Sequence, residues 1–188
     1  MSAIKPIRLF IAAIPEYPIS MTLSKMCEKL RRLDRRASVV PAANLHCTLR
    51  FIGDVPLAVA NKVEDQFRVL QPVGADYSLT PDAIKTFGGN RGHTLVLALN
   101  ASVALRMYVG ALEDMLVTEC GLPRERRPWV PHITLARRVD LSLVSPAMLT
   151  PPDRHASPIE SIVLYQSEFT PSGMRYTPLV THKIGASP

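Results

Sequence analysis

The residues best suited to chemistry in this sequence form two short matching motifs. One is His46-Cys47-Thr48-Leu49 and the other is His132-Ile133-Thr134-Leu135, so both have the pattern His-x-Thr-Leu. Histidine has an unperturbed pKa of about 6.5, so a pair of imidazoles can give and take a proton in one turnover near neutral pH. Threonine hydroxyls can donate hydrogen bonds to phosphate oxygens. This combination suits acid and base catalysis on a bound phosphodiester.

Both motifs lie in runs typical of β-strands, and strand geometry decides where their side chains point. Side chains two positions apart share a face, so the His and the Thr of each motif are predicted to project together. Arg50 lies on the same face if the first motif strand is regular, and its forked donors could bind charge on a phosphate oxygen. Arg137 follows the second motif at an odd spacing, so it reaches the same cleft only through a bulge or a strand end. Cys47 is predicted to face the core, which argues against a cysteine nucleophile.

Each motif taken alone is weak evidence for a catalytic site. A lone histidine on a strand is usually a hydrogen-bonded structural residue, and His-x-Thr occurs often by chance. Two copies at matched positions of an apparent repeat favour a shared catalytic function. The other histidines, His93, His155 and His182, have no comparable neighbours in the sequence.

Two other chemistries find little support in the sequence. A catalytic metal needs three or four ligands, and apart from the motif histidines no His, Asp, Glu or Cys cluster has ligand spacing. We therefore expect no metal and no cofactor. A phosphate-binding loop ends in Gly-Lys-Ser/Thr before a helix, whereas the glycine-rich stretch 88–92 lacks that ending and is predicted to be a hairpin turn.

The composition is typical of a globular protein. The 188 residues fit one domain with a proper core, and 47% are apolar while 20% are charged. A formal net charge of +6 mildly favours a polyanionic partner. The three cysteines are far apart and odd in number, which indicates a reducing compartment such as the cytoplasm. No run approaches the ~18 apolar residues of a membrane span, so we expect no membrane association. We also expect the protein to be a monomer.

The hydrophobic periodicity predicts an alternation of strands and helices. Strands are predicted at 7–14, 45–52, 77–87, 94–99, 132–138, 159–169 and 174–184, with the first favoured as a buried strand over a signal peptide. Helices are predicted at 20–37 with Ser20 as N-cap, at 56–70, and around 105–116 with Gly121 as its stop.

The order strand, helix, motif strand occurs twice, which suggests two similar lobes with one His-x-Thr each. The predicted fold class is α+β, with mostly antiparallel sheets around a central groove and helices packed outside. We expect a single domain over residues 1–188, made of two interleaved lobes.

Four arginines near the end of the first predicted helix form a basic cluster: Arg31, Arg32, Arg35 and Arg36. They could contact the backbone of a nucleic acid. A charge run on the polar side of a helix is more often a solvated face, and that interpretation is the favoured one.

With their flanks, the two motifs resemble the signature of the 2H phosphoesterases, and in particular the bacterial RNA 2′,3′-cyclic phosphodiesterases, also called 2′-5′ RNA ligases. The stretches that carry the resemblance span almost the whole chain: Arg8-Leu9-Phe10-Ile11-Ala12, Asn44-Leu45-His46-Cys47-Thr48-Leu49-Arg50-Phe51-Ile52-Gly53, Arg127-Pro128-Trp129-Val130-Pro131-His132-Ile133-Thr134-Leu135-Ala136-Arg137, and Leu164-Tyr165-Gln166-Ser167 with Gly173 and Tyr176.

The resemblance implies a bilobal fold with a pseudo-two-fold axis and a metal-free opening of a 2′,3′-cyclic phosphate at an RNA end, which leaves a 2′-phosphate. Some members also run an ATP-independent 2′-5′ ligation. By position, His46 and His132 match the catalytic pair. The matching phosphate-binding positions are Thr48, Thr134 and Arg137, and Phe10 matches a candidate for stacking on the terminal base. Cys47 replaces a more usual aliphatic residue, with little functional effect expected.

The resulting hypothesis is in-line attack by water, with one imidazole as base and the other as acid. Our working assignment makes His132 the base and His46 the acid, and the opposite assignment stays open. Two alternatives remain at this point. One is a phosphodiesterase for small cyclic nucleotides or ADP-ribose cyclic phosphate, and the other is a non-catalytic protein that binds RNA ends.

Overall fold

A computed structural model describes residues 5–74, 76–88, 92–171 and 173–184. It contains three long helices and eight strands in these residues. In chain order they are β1 (Ile7–Pro15), α1 (Tyr17–Leu33), β2 (Ser38–Val39), β3 (Cys47–Val55), α2 (Leu57–Val69), β4 (Ser78–Phe87), β5 (His93–Ala101), α3 (Val103–Thr118), β6 (His132–Val139), β7 (Ser157–Thr170) and β8 (Gly173–Lys183). Short 3₁₀ turns form at Ala42–Asn44 and Pro146–Met148.

The strands form two four-stranded sections in which every neighbouring pair is antiparallel. One section has the order β3-β1-β7-β8, and the other has the order β4-β5-β6-β2. Two narrow pairings join the sections. The pairing of β3 with β6 has one residue pair, and that of β4 with β7 has two. The predicted α+β class with antiparallel sheets is therefore confirmed, while the division into two interleaved lobes stays a prediction.

The helices pack on the apolar side of the strands, across the two sections. Helix α1 follows β1 in the chain but contacts β6, which belongs to the section that does not contain β1. There the Cys27 thiol donates to the Leu135 carbonyl at 3.7 Å. Helix α3 contacts β3 in return. These helices, with their buried leucines such as Leu23 and Leu112, close the core over both motif strands. No helix among the described residues is long and apolar enough to cross a membrane.

The first helix is displaced from its prediction. It begins at Tyr17 because Pro18 suits the first turn of a helix, where no backbone N–H is needed. Ser20 is therefore inside the helix and is not its N-cap; its hydroxyl donates to the Tyr17 carbonyl at 2.9 Å. The helix ends before Asp34, so half of the basic cluster, Arg35 and Arg36, lies beyond it.

The other predicted elements are present with shifted ends. Helix α3 is capped by the Ser102 hydroxyl, which accepts from the Leu105 amide, and Gly121 follows its end with a positive φ of 68°. Strand β2 was not predicted, since two residues carry no periodicity. Strands β4 and β5 pair as a hairpin requires, but residues 89–91 of the predicted turn lie outside the described residues.

Candidate active site

The two motif histidines are held by the same hydrogen bond. In each, Nδ1 lies against the backbone carbonyl two residues earlier: His46 to Asn44 at 2.7 Å, and His132 to Val130 at 2.8 Å. A carbonyl oxygen only accepts, so Nδ1 carries the proton in both rings. Nε2 is left in each ring as the atom that can exchange protons with a ligand.

The two motifs meet where β3 and β6 touch. The single residue pair between these strands is Cys47 with Ile133, and both side chains are fully buried in the core. Their neighbours on either side therefore project to the opposite face. In an antiparallel register this pair sets His46 beside Thr134 and Thr48 beside His132. Each motif thus presents its histidine next to the threonine of the other motif.

A large cavity opens on this face, with a volume of about 1030 Å³. Both histidines and both threonines line it, as do Arg137 and residues from other parts of the chain, such as Arg31, Phe87 and Tyr176. The structure therefore brings six of the seven predicted site residues to this cavity: His46, His132, Thr48, Thr134, Arg137 and Phe10.

A β-bulge explains how Arg137 reaches the cavity from the wrong strand parity. Leu95 pairs with Ala136 and Val96 pairs with Thr134, so Leu135 has no partner on β5. Leu135 and Ala136 are both buried in the core, which reverses the alternation. Arg137 consequently lies on the cavity face.

The end of β6 carries a second irregularity just beyond this bulge. Arg138 has a positive φ of 58°, and Gly92 packs directly against its backbone. A Cβ at Gly92 would lie 2.9 Å from the Arg138 Cα, so a larger residue does not fit there without a shift. The close approach fixes the path of β6 immediately after Arg137.

A β-bulge also follows the first motif, and it places Arg50 outside the site. Ile11 pairs with Arg50 and Ala12 pairs with Thr48, which leaves Leu49 without a partner. Ile11 belongs to the core, so Arg50 lies on the core side of β3 and not beside Thr48. The prediction of a phosphate-binding role for Arg50 is wrong because it assumed a regular strand.

Arg50 instead ties β3 to α3 and to the segment before β6. Its Nε donates to Glu113 at 2.7 Å, and its two other nitrogens donate to the carbonyls of Phe51 and Pro123, each at 2.7 Å. The side chains of Arg50 and Glu113 are only 12% and 15% exposed. Trp129 adds a second tie, because its indole N–H donates to the Thr48 carbonyl at 2.9 Å. The segment before the second motif, which contains Pro123 and Trp129, therefore holds the strand of the first motif in place.

Phe10 lies against His46 and is almost entirely buried. Its ring stacks on Tyr165 at 5.2 Å, meets the edge of Tyr176 at 4.8 Å and lies 5.0 Å from the His46 ring. Only 4% of the residue is exposed although it borders the cavity. Stacking with a base needs an exposed ring face, so this burial gives the base-stacking role of Phe10 little support, and the role stays a prediction.

The surroundings of His46 favour its neutral form. Burial lowers its pKa below the usual value, and the Arg137 and His132 charges lower it further, against the hydrogen bond to Asn44, which raises it. A neutral ring with Nδ1 protonated has a free lone pair on Nε2. A neutral His46 ring can accept a proton at Nε2.

Cys47 faces the core as predicted. It is fully buried and burial raises its pKa to about 12, so it stays a thiol at neutral pH. All three cysteines are free and buried. Outside the motifs, His182 Nε2 donates to the Phe67 carbonyl at 2.7 Å, which indicates a structural role. No group of three or more His, Cys, Asp or Glu residues that could hold a metal ion occurs in the described part of the chain.

Several cavity residues escaped the sequence argument. Phe51, with 48% of its surface exposed, borders the cavity, and Phe87 places its edge against the His132 ring at 5.3 Å. Arg31 and Arg35 also line the cavity, and both are exposed, so the interpretation of the basic cluster as a solvated face stays a prediction for these two members. A usable signal existed for Phe51, since it lies at the same spacing from His46 as Arg137 from His132.

Comparison with known structures gives the same fold. The chain resembles TT0787 of Thermus thermophilus, with a TM-score of 0.73 and 26% identity over 94% of this chain and 97% of that one. It also resembles E. coli LigT complexed with 3′-AMP, with a TM-score of 0.72 and 24% identity, and LigT in apo form, with 0.67 and 23%. Both LigT comparisons cover 96% of this chain and 99% of the other.

Sequence comparison is informative at the level of the family. No curated protein matches the chain. The family model of the 2′-5′ RNA ligase superfamily matches residues 19–168, which include both motifs and most of the chain. The chain therefore belongs to the 2′-5′ RNA ligase superfamily of 2H phosphoesterases.

Proposed function

We propose that this protein hydrolyses 2′,3′-cyclic phosphate ends of RNA to 2′-phosphates, without a metal, by a two-histidine mechanism. The observation that carries the proposal is the matched pair His46 and His132. Each is oriented by the same Nδ1 hydrogen bond, and both line one cavity together with two threonines and an arginine. Equivalent imidazoles on one bound phosphate can divide the acid and base roles.

The reaction is an in-line displacement at phosphorus. Water attacks opposite the 3′-oxygen, one imidazole Nε2 takes the proton of the water, and the P–O3′ bond breaks. The other imidazole, protonated at Nε2, gives its proton to the departing 3′-oxygen. The products are a 2′-phosphate and a free 3′-hydroxyl. Thr48, Thr134 and Arg137 are assigned to hold the non-bridging oxygens, where negative charge accumulates.

The acid and base roles depend on the ligand. Burial and the charges of Arg137 and His132 lower the pKa of His46, which favours the neutral form that suits a base. A bound phosphodiester brings a negative charge that raises the pKa of a nearby imidazole, which suits the acid role of our working assignment. We retain His132 as base and His46 as acid for the bound state.

A single chain supplies every group that the mechanism uses. Both motifs, Arg137 and the cavity walls come from one copy, so we propose that the protein acts as a monomer of one domain with two interleaved lobes. The same displacement with a 5′-hydroxyl in place of water forms a P–O5′ bond, breaks the P–O3′ bond and would join RNA ends in an ATP-independent 2′-5′ linkage. This activity is secondary to the proposed hydrolysis.

The test is turnover of a short RNA that ends in a 2′,3′-cyclic phosphate, with ³¹P NMR to identify the product. The expected product is the 2′-phosphate alone, and EDTA should leave the rate unchanged. A protein that binds the RNA without turnover would be an RNA-end binder. Formation of a 3′-phosphate would contradict the proposed bond cleavage, and activity that EDTA removes and added metal restores would contradict the metal-free mechanism.

The substrate class is tested by relative rates. Small cyclic nucleotides and ADP-ribose cyclic phosphate carry the same reacting group, so each can be compared with the oligonucleotide as kcat/KM. A preference for the oligonucleotide supports RNA ends as substrate. A preference for a small molecule would replace RNA by that molecule and leave the two-histidine mechanism intact.

A further inference from the structure

The cavity is chemically asymmetric about the two histidines. Strands β3 and β6 touch at Cys47 and Ile133 and run in opposite directions from there. Phe51 lies further along β3, and Arg137 lies further along β6. The two residues therefore lie on opposite sides of the histidine pair, and both line the cavity.

One side of the cavity is basic. Strand β2 pairs with β6 so that Ser38 lies directly opposite Arg137. Arg35 is three residues before Ser38, which puts their Cα atoms no more than about 11 Å apart. Arg31, in the last turn of α1, lines the same cavity. The long side chains of Arg31 and Arg35 thus extend the positive charge of Arg137 along one wall.

This charge is not neutralised within the described residues. Neither Arg35 nor Arg137 has a carboxylate within ion-pair distance there, and Arg31 donates only to the Val40 carbonyl, at 3.4 Å. Arg8, which also borders the cavity, is paired with Asp54 at 3.0 Å. The unpaired cations favour an anionic ligand on this wall.

The turn that carries Arg35 is fixed in place. Asp34 is 1% exposed, and its carboxylate accepts from the backbone N–H groups of Arg36, Ala37 and Asp140 at 2.9 to 3.2 Å. These bonds, led by that of Asp140, hold the pKa of Asp34 below its usual range. The carboxylate is committed to the backbone, so it positions Arg35 without forming an ion pair with it.

The other side of the cavity is aromatic. Phe51 is 48% exposed, and the Arg8 guanidinium lies 4.9 Å from the centre of its ring. A partly exposed ring with a cation against it suits stacking with a nucleobase. A nucleotide bound across the histidines would thus place its base at Phe51 and its remaining backbone at the arginines.

We infer that Arg31 and Arg35 form a subsite for a second phosphate, the 5′-phosphate of the nucleotide whose cyclic phosphate reacts. The inference rests on the proposed function and extends it to the neighbouring linkage of the RNA chain. The cavity volume of about 1030 Å³ lies at the top of the ~300–1,000 Å³ range of small-ligand sites, so it leaves room beyond one cyclic phosphate. An RNA end carries this second phosphate, whereas a nucleoside 2′,3′-cyclic phosphate does not.

The test compares two substrates that differ by one group: a nucleoside 2′,3′-cyclic phosphate and the same compound with a 5′-phosphate. We expect the wild-type protein to prefer the 5′-phosphorylated compound by about tenfold in kcat/KM, the scale of one charge-assisted contact at a partly exposed site. The double variant Arg31→Ala, Arg35→Ala should reduce this ratio to near one. The single variants Arg31→Gln and Arg35→Gln, which keep most of the side-chain length, should each reduce it in part.

Arg32→Ala is the matched control. Arg32 shares the last turn of α1 with Arg31, so its removal changes the net charge and the helix end in the same way, but it does not line the cavity. It should leave the ratio at the wild-type value. Equal rates on both substrates in the wild type, or a ratio that survives the double variant, would overturn the subsite while the hydrolysis itself stands.

A binding measurement separates failure of the subsite from failure of the proposed function. If neither compound is hydrolysed, the affinities of a nucleoside 3′-phosphate and a nucleoside 3′,5′-bisphosphate can be measured by calorimetry. The bisphosphate should bind about tenfold more tightly to the wild type and to Arg32→Ala, but not to the double variant. Equal affinities in the wild type would overturn the subsite independently of catalysis.

Discussion

Phe51 and Arg137 are equivalent residues at opposite ends of one cavity. Each lies five positions after a motif histidine, and before each a buried leucine, Leu49 or Leu135, has no partner in the strand pairing. The bulge reverses the alternation of the strand and turns the side chain five positions after the histidine toward the cavity. One backbone device therefore delivers an aromatic ring on one side of the histidines and a cation on the other.

The two motif arginines should respond to substitution in opposite ways. Arg137→Ala should reduce kcat/KM by about 10²–10³-fold, since it removes a donor from the developing negative charge. It should leave the free energy of unfolding nearly unchanged because Arg137 is exposed. Steady-state kinetics and urea denaturation on the same preparation measure both quantities.

Arg50→Ala is the counterpart of that experiment. It removes the charged partner of Glu113, whose side chain is 15% exposed and keeps only the backbone N–H of Glu125 as a donor among the described residues, so the free energy of unfolding should fall by about 3 kcal/mol. At temperatures where the variant stays folded, it should retain turnover. A catalytic defect in Arg50→Ala without loss of stability would restore Arg50 to the active site.

The two phenylalanines make a second contrasting pair. Phe51→Ala should raise KM for a nucleotide substrate by the equivalent of ~1–3 kcal/mol of lost base stacking, with little change in stability. Phe10→Ala should instead lower the free energy of unfolding by about 3–5 kcal/mol, because it opens a cavity among Tyr165, Tyr176 and His46. A large stability loss in Phe51→Ala, or a pure KM effect in Phe10→Ala, would reverse this assignment.

The motif residues could be predicted because their chemistry is local in the sequence. Two residues in each His-x-Thr are close enough for strand alternation to hold, and Cys47 between them is buried as alternation requires. The repeated order of strand, helix and motif strand likewise indicated the antiparallel α+β class. These predictions use only spacing over a few residues.

The errors arise at positions where a shift of one residue in the strand pairing changes the face on which a side chain lies. Alternation predicts Arg50 correctly only in a strand without a bulge, and the unpaired Leu49 is visible only once β1 is seen beside β3. Arg31 and Arg35 are exposed, as a solvated face requires, and their place beside the cavity becomes visible only once β2 pairs with β6. Both outcomes depend on strand pairing between distant parts of the chain, which no local pattern encodes.

The histidine pair itself is tested by His46→Ala and His132→Ala. Each should reduce kcat by at least about 10²–10⁴-fold, the usual contribution of a general acid or base. His155→Ala is the matched control, since His155 is exposed and does not line the cavity, and it should keep wild-type turnover. Circular dichroism and the thermal midpoint check that each variant is folded. Near-normal turnover in either motif variant would exclude that histidine from the mechanism.

The charge on Arg137 should affect the pKa of His46, which an NMR titration measures. Burial and the Arg137 cation lower the pKa of His46 below about 6.5, so NMR should find the ring still neutral when an unhindered histidine is half protonated. Arg137→Ala removes one of these causes, so the pKa of His46 should rise toward its usual value. Arg32→Ala, with the same charge change outside the cavity, should leave it in place, and a fall in Arg137→Ala would contradict the coupling.

The same shift predicts how stability depends on pH. Because the folded-state pKa of His46 is lowered, the unfolded chain binds a proton first as the pH falls below about 6.5. The contribution of His46 to stability is therefore full above that pH, decreases as the pH falls, and stops decreasing once the folded ring is protonated. Urea denaturation of wild type and His46→Gln across this range isolates the effect, since glutamine does not titrate. The unfolding free energy of wild type minus that of His46→Gln should decrease from about pH 8 toward about pH 5. A constant difference would mean that the folded protein does not lower the pKa of His46.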